Sequence, residues 1–170
     1  MPEGDFQQSD SQQIDALTAD GFAGSVLFEK TFDEGMALVE ETARYLDGRG
    51  REDSRGLPRK AAVLYAGESM RVTTRLMQAA SWLLVQRAVH DGEMEADAAA
   101  SARYRLGSKE ICLGQAGEGV ESLPPTLRDL LERSDNLYRR IARLDAILFG
   151  DAVLSGARAQ QDALARAFGQ

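Results

Sequence analysis

Cys112 and His90 are the chain's only cysteine and histidine. One thiol and one imidazole supply neither a disulfide framework nor a His/Cys metal cluster. Cys112 stands between Ile111 and Leu113, with Lys109 near it in sequence and no neighbouring base. That setting describes a small buried hydrophobe rather than an activated nucleophile. His90 stands beside Asp91 at the end of a long helical pattern, where a cation complements the helix dipole, so its expected role is capping rather than proton transfer. The run Gly114-Gln-Ala-Gly-Glu-Gly119 follows no strand pattern and lacks the Lys-Ser/Thr pair of a phosphate loop. These residues predict no catalysis, no metal and no cofactor.

Recognition chemistry remains. Arg71 and Arg75 lie one helical turn apart beside Glu68, Arg87 follows, and residues 59–87 hold five bases and one acid. Guanidinium forks on such a strip would take carboxylates of a partner, with Trp82 as an aromatic anchor, which makes Arg71, Arg75 and Arg87 candidate partner-binding residues. The plainer alternative is a solvated strip with an intrahelical Glu68 pair, worth roughly a few tenths of a kcal/mol.

The elements that must position these residues are helical. Phe28, Phe32, Met36, Val39, Ala43 and Leu46 recur at helical spacing, opened by Ser25 or by a Thr31/Glu34 capping box and stopped by Gly48. Residues 48–56 contain no apolar side chain and are expected as a solvated loop. Pro58 opens a second helix that runs to Asp91, about 50 Å at 1.5 Å per residue. Val63, Ala66, Met70, Thr73, Thr74, Met77, Ser81, Leu84 and Ala88 form one stripe of it, the expected bundle seam. Val72, Leu76, Trp82, Leu83, Val85 and Val89 lie off that stripe, so the helix must be covered on more than one side. Leu76, Trp82, Leu83 and Val89 are therefore the candidate dimer interface.

Residues 95–106 read as an alanine-rich helical return and 107–123 as a loop carrying the apolar knot at Ile111–Leu113. Leu127, Leu130, Ser134, Leu137, Ile141, Leu144 and Leu148 then step by three and four through a last helix announced by Pro124 and Pro125. Ala159–Phe168 is a further short helix, with Leu164 and Phe168 on one side as a candidate tail tether.

The 170 residues suit one domain, and no apolar run approaches the ~18 residues of a membrane span. The expected location is the cytoplasm. Residues 1–20 hold five acids and no Lys or Arg, whereas residues 21–170 hold 22 acids and 20 bases. A nearly neutral body lacks the broad basic footprint of a nucleic-acid binder. The fold class is all-α: a three-helix bundle over residues 25–149, with a flexible acidic lead over 1–24 and a flexible tail over 150–170, expected as a homodimer.

Residues 68–94 (Glu-Ser-Met-Arg-Val-Thr-Thr-Arg-Leu-Met-Gln-Ala-Ala-Ser-Trp-Leu-Leu-Val-Gln-Arg-Ala-Val-His-Asp-Gly-Glu-Met) closely resemble the signature of the RcdA family, regulators of CtrA degradation. The resemblance extends to Thr31–Leu46, to Leu123-Pro124, to Glu132-Arg-Ser134 and to Arg143-Leu-Asp145, and more loosely to Ala163–Phe168. It implies a homodimeric three-helix bundle that acts as a non-enzymatic adaptor. Such an adaptor associates with the CpdR-primed protease ClpXP, helps deliver cell-cycle substrates or a further PopA-like adaptor, binds no cofactor, and is recruited to the cell pole. A structural or localisation dimer without a protease link, and a DNA-associated helical regulator, are the alternatives.

Overall fold

A computed structural model describes residue 21 and residues 24–168, and the side chains among them up to residue 150. The acidic lead, residues 1–20, lies outside the described residues. Six α-helices follow in order: α1 (Val26–Asp47), α2 (Arg49–Arg55), α3 (Arg59–His90), α4 (Ala96–Ala99), α5 (Lys109–Cys112) and α6 (Pro125–Phe168), with 3₁₀ turns at Ala102–Tyr104 and Val120–Ser122. No strand occurs among the described residues.

Ser25 opens α1, its hydroxyl accepting from the Phe28 N–H at 3.2 Å, so the earlier of the two expected starts is the one used. The loop expected over 48–56 is instead largely the two-turn helix α2. Its Gly50 is buried between two tyrosines: the Tyr65 hydroxyl donates to the Gly50 carbonyl at 2.9 Å, and the Tyr45 hydroxyl donates to Asp53 Oδ2 at 3.0 Å. A Cβ at Gly50 would stand 2.6 Å from the Tyr65 hydroxyl, so the glycine is required by close approach.

Ion pairs fix the helix directions. Glu41 and Glu34 of α1 meet Arg133 and Arg140 of α6, and Glu29 meets Arg87 of α3, so α1 is antiparallel to both long helices. Arg75 of α3 meets Asp135 of α6, and Trp82 meets Asp145 further along, so α3 and α6 run parallel. Their connection, residues 91–124, returns along the seam between them as a strap. Arg105 sits at Asp145, Gly107 at Gln78 and Tyr138, Cys112 at Arg75, Gly114 at Arg71 and Gly117 at Glu68. The helical return expected over 95–106 is one α-turn and one 3₁₀ turn of this strap.

The core line of α6 is Leu127, Leu130, Ser134, Leu137 and Ile141, as the heptad-like spacing predicts, joined by Tyr138, Asp145 and Phe149, while Leu144 and Leu148 of the expected seam are only partly buried. In α1 the buried line is Phe28, Thr31, Gly35, Leu38, Thr42 and Tyr45, one residue away from most of the expected stripe. Phe32, Met36, Val39 and Leu46 are only partly buried, at its edge. Gly35 lets α1 press on α3, since a Cβ there would lie 2.9 Å from Leu83 Cδ1.

The assignment for α3 is reversed. Leu76, Trp82, Leu83 and Val89, expected at a dimer interface, are 4%, 1%, 0% and 8% exposed within the single chain and belong to its core. Val63, Met70, Met77 and Leu84, expected in the bundle seam, are 70%, 72%, 65% and 53% exposed. Polar residues caused the inversion, because the true core face also carries Glu68, Arg75 and Gln86, which disguise it as a surface. Neither amide atom of Gln86 finds a partner among the described residues.

The helix α6 does not stop at Gly150, where the tail is expected to begin, but runs on to Phe168. No proline stands in residues 126–168 to break it. Leu164 and Phe168 lie on this extension, with their side chains outside the described residues.

The Asp145 carboxylate is fully buried and takes the Trp82 indole N–H at 2.9 Å and the Arg105 guanidinium at 2.8 and 2.9 Å. Asp145→Ala leaves a guanidinium and an indole N–H without their acceptor, and is expected to lower stability by about 3 kcal/mol in urea unfolding. Burial raises the Cys112 thiol, and burial raises the Tyr45 and Tyr138 hydroxyls, above their ordinary ranges. Each group holds its proton longer folded than unfolded, so the native state binds more protons at alkaline pH and stability falls as pH rises. The loss begins near the unfolded thiol pKa of about 8.5 and steepens near the unfolded phenol pKa of about 10. Denaturant midpoints measured from pH 7 to 11 should decline in those two stages, the first disappearing in Cys112→Ala.

Candidate functional site

The three candidate arginines all lie along α3, but the structure does not gather them into an open strip. Arg75 is buried: its Nε donates to the Cys112 carbonyl at 2.9 Å, Nη1 to the Leu131 carbonyl at 3.2 Å, and Nη2 lies 2.9 Å from Asp135 Oδ1. Burial lowers its guanidinium pKa, and the Asp135 charge opposes that shift. Arg75 is thus a bolt between the strap and α6 and not a surface contact.

Arg71 is half-buried, donating to the Gly114 carbonyl at 2.7 Å and pairing with Glu68 at 3.3 Å, as the intrahelical alternative foresees. Arg87 meets both carboxylate oxygens of Glu29 at 2.9 and 3.1 Å and stacks 3.8 Å above the Phe32 ring, which ties the start of α1 to the end of α3. The excess of base along residues 68–87 is therefore offset through space by Glu29 and Asp135, while Arg59 and Lys60 at the start of α3 have no ion pair among the described residues. None of the three arginines stands unopposed.

Cys112 is fully buried beneath the strap, in agreement with its reading as a small hydrophobe. His90 is exposed in the last turn of α3, the position expected for it. Among the described residues no group of His, Cys, Asp and Glu could hold a metal, and no helix is long and apolar enough to cross a membrane.

Two grooves along the long helices are candidates for recognition. One is a groove of about 480 Å³ between strap and α6, floored by Glu68 and Arg75 and rimmed by Arg128, Glu132 and Arg139. Its charges are mixed and its floor is consumed by internal pairs.

The other surface is apolar and lies on the outer face of α1 and α3. Val63, Met70, Met77 and Leu84 stand seven residues apart along α3 and are all exposed. Beside them runs a groove of about 430 Å³ lined by Val39, Thr42, Ala43, Leu46, Leu76 and Met77. At its edge the Thr42 hydroxyl is buried without a hydrogen-bond partner among the described residues. Sequence reasoning found both apolar stripes but turned them inward. The signal for an outer face was the uninterrupted seven-residue spacing, a seam between helices rather than the wider stripe of a core-facing one.

This bundle, with its parallel long helices and strap, has relatives. The chain matches a family described as "Protein of unknown function (DUF1465)" over residues 19–168. No curated protein matches it. Among solved structures it is similar to the crystal structure of RcdA from Caulobacter crescentus CB15, with 53% identity over 76% of this chain and 97% of that chain, and a TM-score of 0.64. The family match spans most of the chain and the identity extends along nearly the whole of that structure, which agrees with the resemblance carried by residues 68–94: the chain belongs to the RcdA family.

Proposed function

We propose that this protein is a non-enzymatic adaptor of regulated proteolysis in the bacterial cytoplasm, recruited to the cell pole, which helps deliver CtrA-type cell-cycle regulators to the CpdR-primed ClpXP protease. The observation that carries this reading is the 53% identity to RcdA. The single chain fits the role, since its surface offers apolar and charged docking faces. An adaptor raises the local concentration of cargo at the unfoldase, so contacts of modest affinity suffice. A substrate or a PopA-like second adaptor would be the cargo, and Leu164 and Phe168 at the end of α6 the tether.

The homodimer belongs to the same proposal, but its interface moves. Leu76, Trp82, Leu83 and Val89 are committed to the core, whereas the Val63, Met70, Met77 and Leu84 seam is a line of apolar knobs at heptad spacing. Small neighbours, Ala66, Gly67, Thr73 and Ser81, leave room for a second helix to approach. The partly buried edge of α1 at Met36, Val39 and Leu46 widens the face.

Two measurements test these statements. Purified protein should capture ClpX only when CpdR is present, and Leu164→Asp with Phe168→Asp should weaken that capture about tenfold if the end of α6 is the tether. Absence of capture by a folded protein would remove the protease reading. In sedimentation the protein should run as a dimer at micromolar concentration, and Met70→Glu with Met77→Glu should give a monomer of unchanged helical circular dichroism. A native monomer, or a variant that stays dimeric, would remove this interface.

A further inference from the structure

The elbow between α2 and α3 concentrates positive charge that the rest of the molecule does not neutralise. Residues 49–60 hold five bases and two acids. Arg51 pairs with Asp47 at 2.7 Å, and Arg49 approaches Asp53 at 3.8 Å, while Asp53 also accepts the Tyr45 hydroxyl. Arg44, at the end of α1, is taken by Glu40. Arg55, Arg59 and Lys60 remain, all exposed and without an ion pair among the described residues, with only Glu52 as a nearby uncommitted carboxylate.

The charge that would balance them is present in the same chain. Residues 1–20 carry Glu3, Asp5, Asp10, Asp15 and Asp20 and no Lys or Arg. Most of this segment precedes residue 19, where the family match begins, so neither the family nor the adaptor reading accounts for it.

Reach and polarity favour one destination. The segment joins the bundle at the start of α1, beside the end of α3, where Asp91, Glu93, Glu95 and Asp97, charges of its own sign, outnumber Lys30 and His90. The elbow lies at the other end of α1, about 33 Å away at 1.5 Å per residue. The 16 residue steps from Asp10 to Val26 span about 53 Å at about 3.3 Å each, so Glu3, Asp5 and Asp10 can reach the elbow. A tethered segment faces the elbow at an effective concentration on the order of millimolar, enough for a weak electrostatic contact.

We propose that the acidic segment 1–20 docks on the α2–α3 elbow and shields Arg55, Arg59 and Lys60. An acidic surface of another protein then reaches these cations only by displacing it. The contact is built from exposed charges, so it is steeply salt-dependent.

The test uses the full chain with a nitroxide on Ser9→Cys, the native Cys112 being buried and spared by the labelling reagent. Paramagnetic broadening should appear at the amides of residues 49–60. It should vanish in about 1 M salt, where the screening length is about 3 Å. It should also vanish when Glu3→Gln, Asp5→Asn, Asp10→Asn, Asp15→Asn and Asp20→Asn are combined in the same labelled chain. A free peptide of residues 1–20 should bind that neutralised protein about tenfold more tightly than the native one, and Arg55→Glu with Arg59→Glu and Lys60→Glu should abolish its binding. Sharp elbow amides in the native chain, broadening that survives neutralisation, or equal peptide affinity for the native and neutralised proteins would overturn the proposal.

Discussion

Two helices lying side by side in the same direction cannot be joined by a short turn. Because α3 and α6 are parallel, the chain must travel back along their whole contact before α6 can begin, and residues 91–124 do so with only single turns of helix. Such a segment cannot satisfy its own backbone, and an unpaired peptide group against a core costs as much as a lost hydrogen bond. The partners come from side chains of the two helices it covers. Arg71, Arg75 and Gln78 of α3 and Tyr138 of α6 each bond strap peptide groups, and Glu68 takes the Gly117 N–H. The strap in turn sends Arg105 down to Asp145. Polar residues in the interior of α3 are thus a consequence of topology.

That consequence explains where sequence reasoning succeeded. The long α6 was legible because its inner line is apolar apart from Ser134 and Asp145, so periodicity and burial agree over most of it. In α3 they disagree. Glu68, Arg75 and Gln86 occupy buried positions while Val63, Met70, Met77 and Leu84 occupy exposed ones, and any reading by hydrophobicity selects the wrong face. In α1 the inner line contains Thr31, Gly35 and Thr42, small residues chosen for close helix approach, and the greasier stripe one position away lies at the edge. The helix α2 was illegible for another reason. Its composition is that of a loop, and what holds it is a pair of tyrosines from the flanking helices closing on Gly50.

Charge was misread on the same principle. Along the chain an arginine can be matched only with acids three or four residues away, and by that measure Arg75 has none and Arg87 has only Asp91, just past the end of its helix. In the fold their carboxylates come from Asp135 and Glu29, 60 and 58 residues distant in sequence. Arg133 takes both kinds of partner, Asp129 four residues before it and Glu41 of α1, and hydrogen bonding to this guanidinium holds the Glu41 carboxyl below its usual range. Local charge counts identify a docking strip only where no acid of another helix comes within reach, and along the middle of α3 such acids do.

The allocation of residue types on α3 also bears on what its outer face can do. A helix whose inner face is bolted by Arg75 to the strap and to α6, and by Trp82 to Asp145, cannot rotate or slide without breaking buried polar contacts. Its outer row at 63, 70, 77 and 84 is therefore held in register before any partner arrives, and association loses little backbone freedom. The side chains on that row include two methionines, whose unbranched thioethers adapt to irregular surfaces more readily than branched residues do. A rigid helix presenting adaptable side chains suits a protein that must engage apolar surfaces by docking rather than by folding upon them. The interior polar network is what makes that exterior dependable.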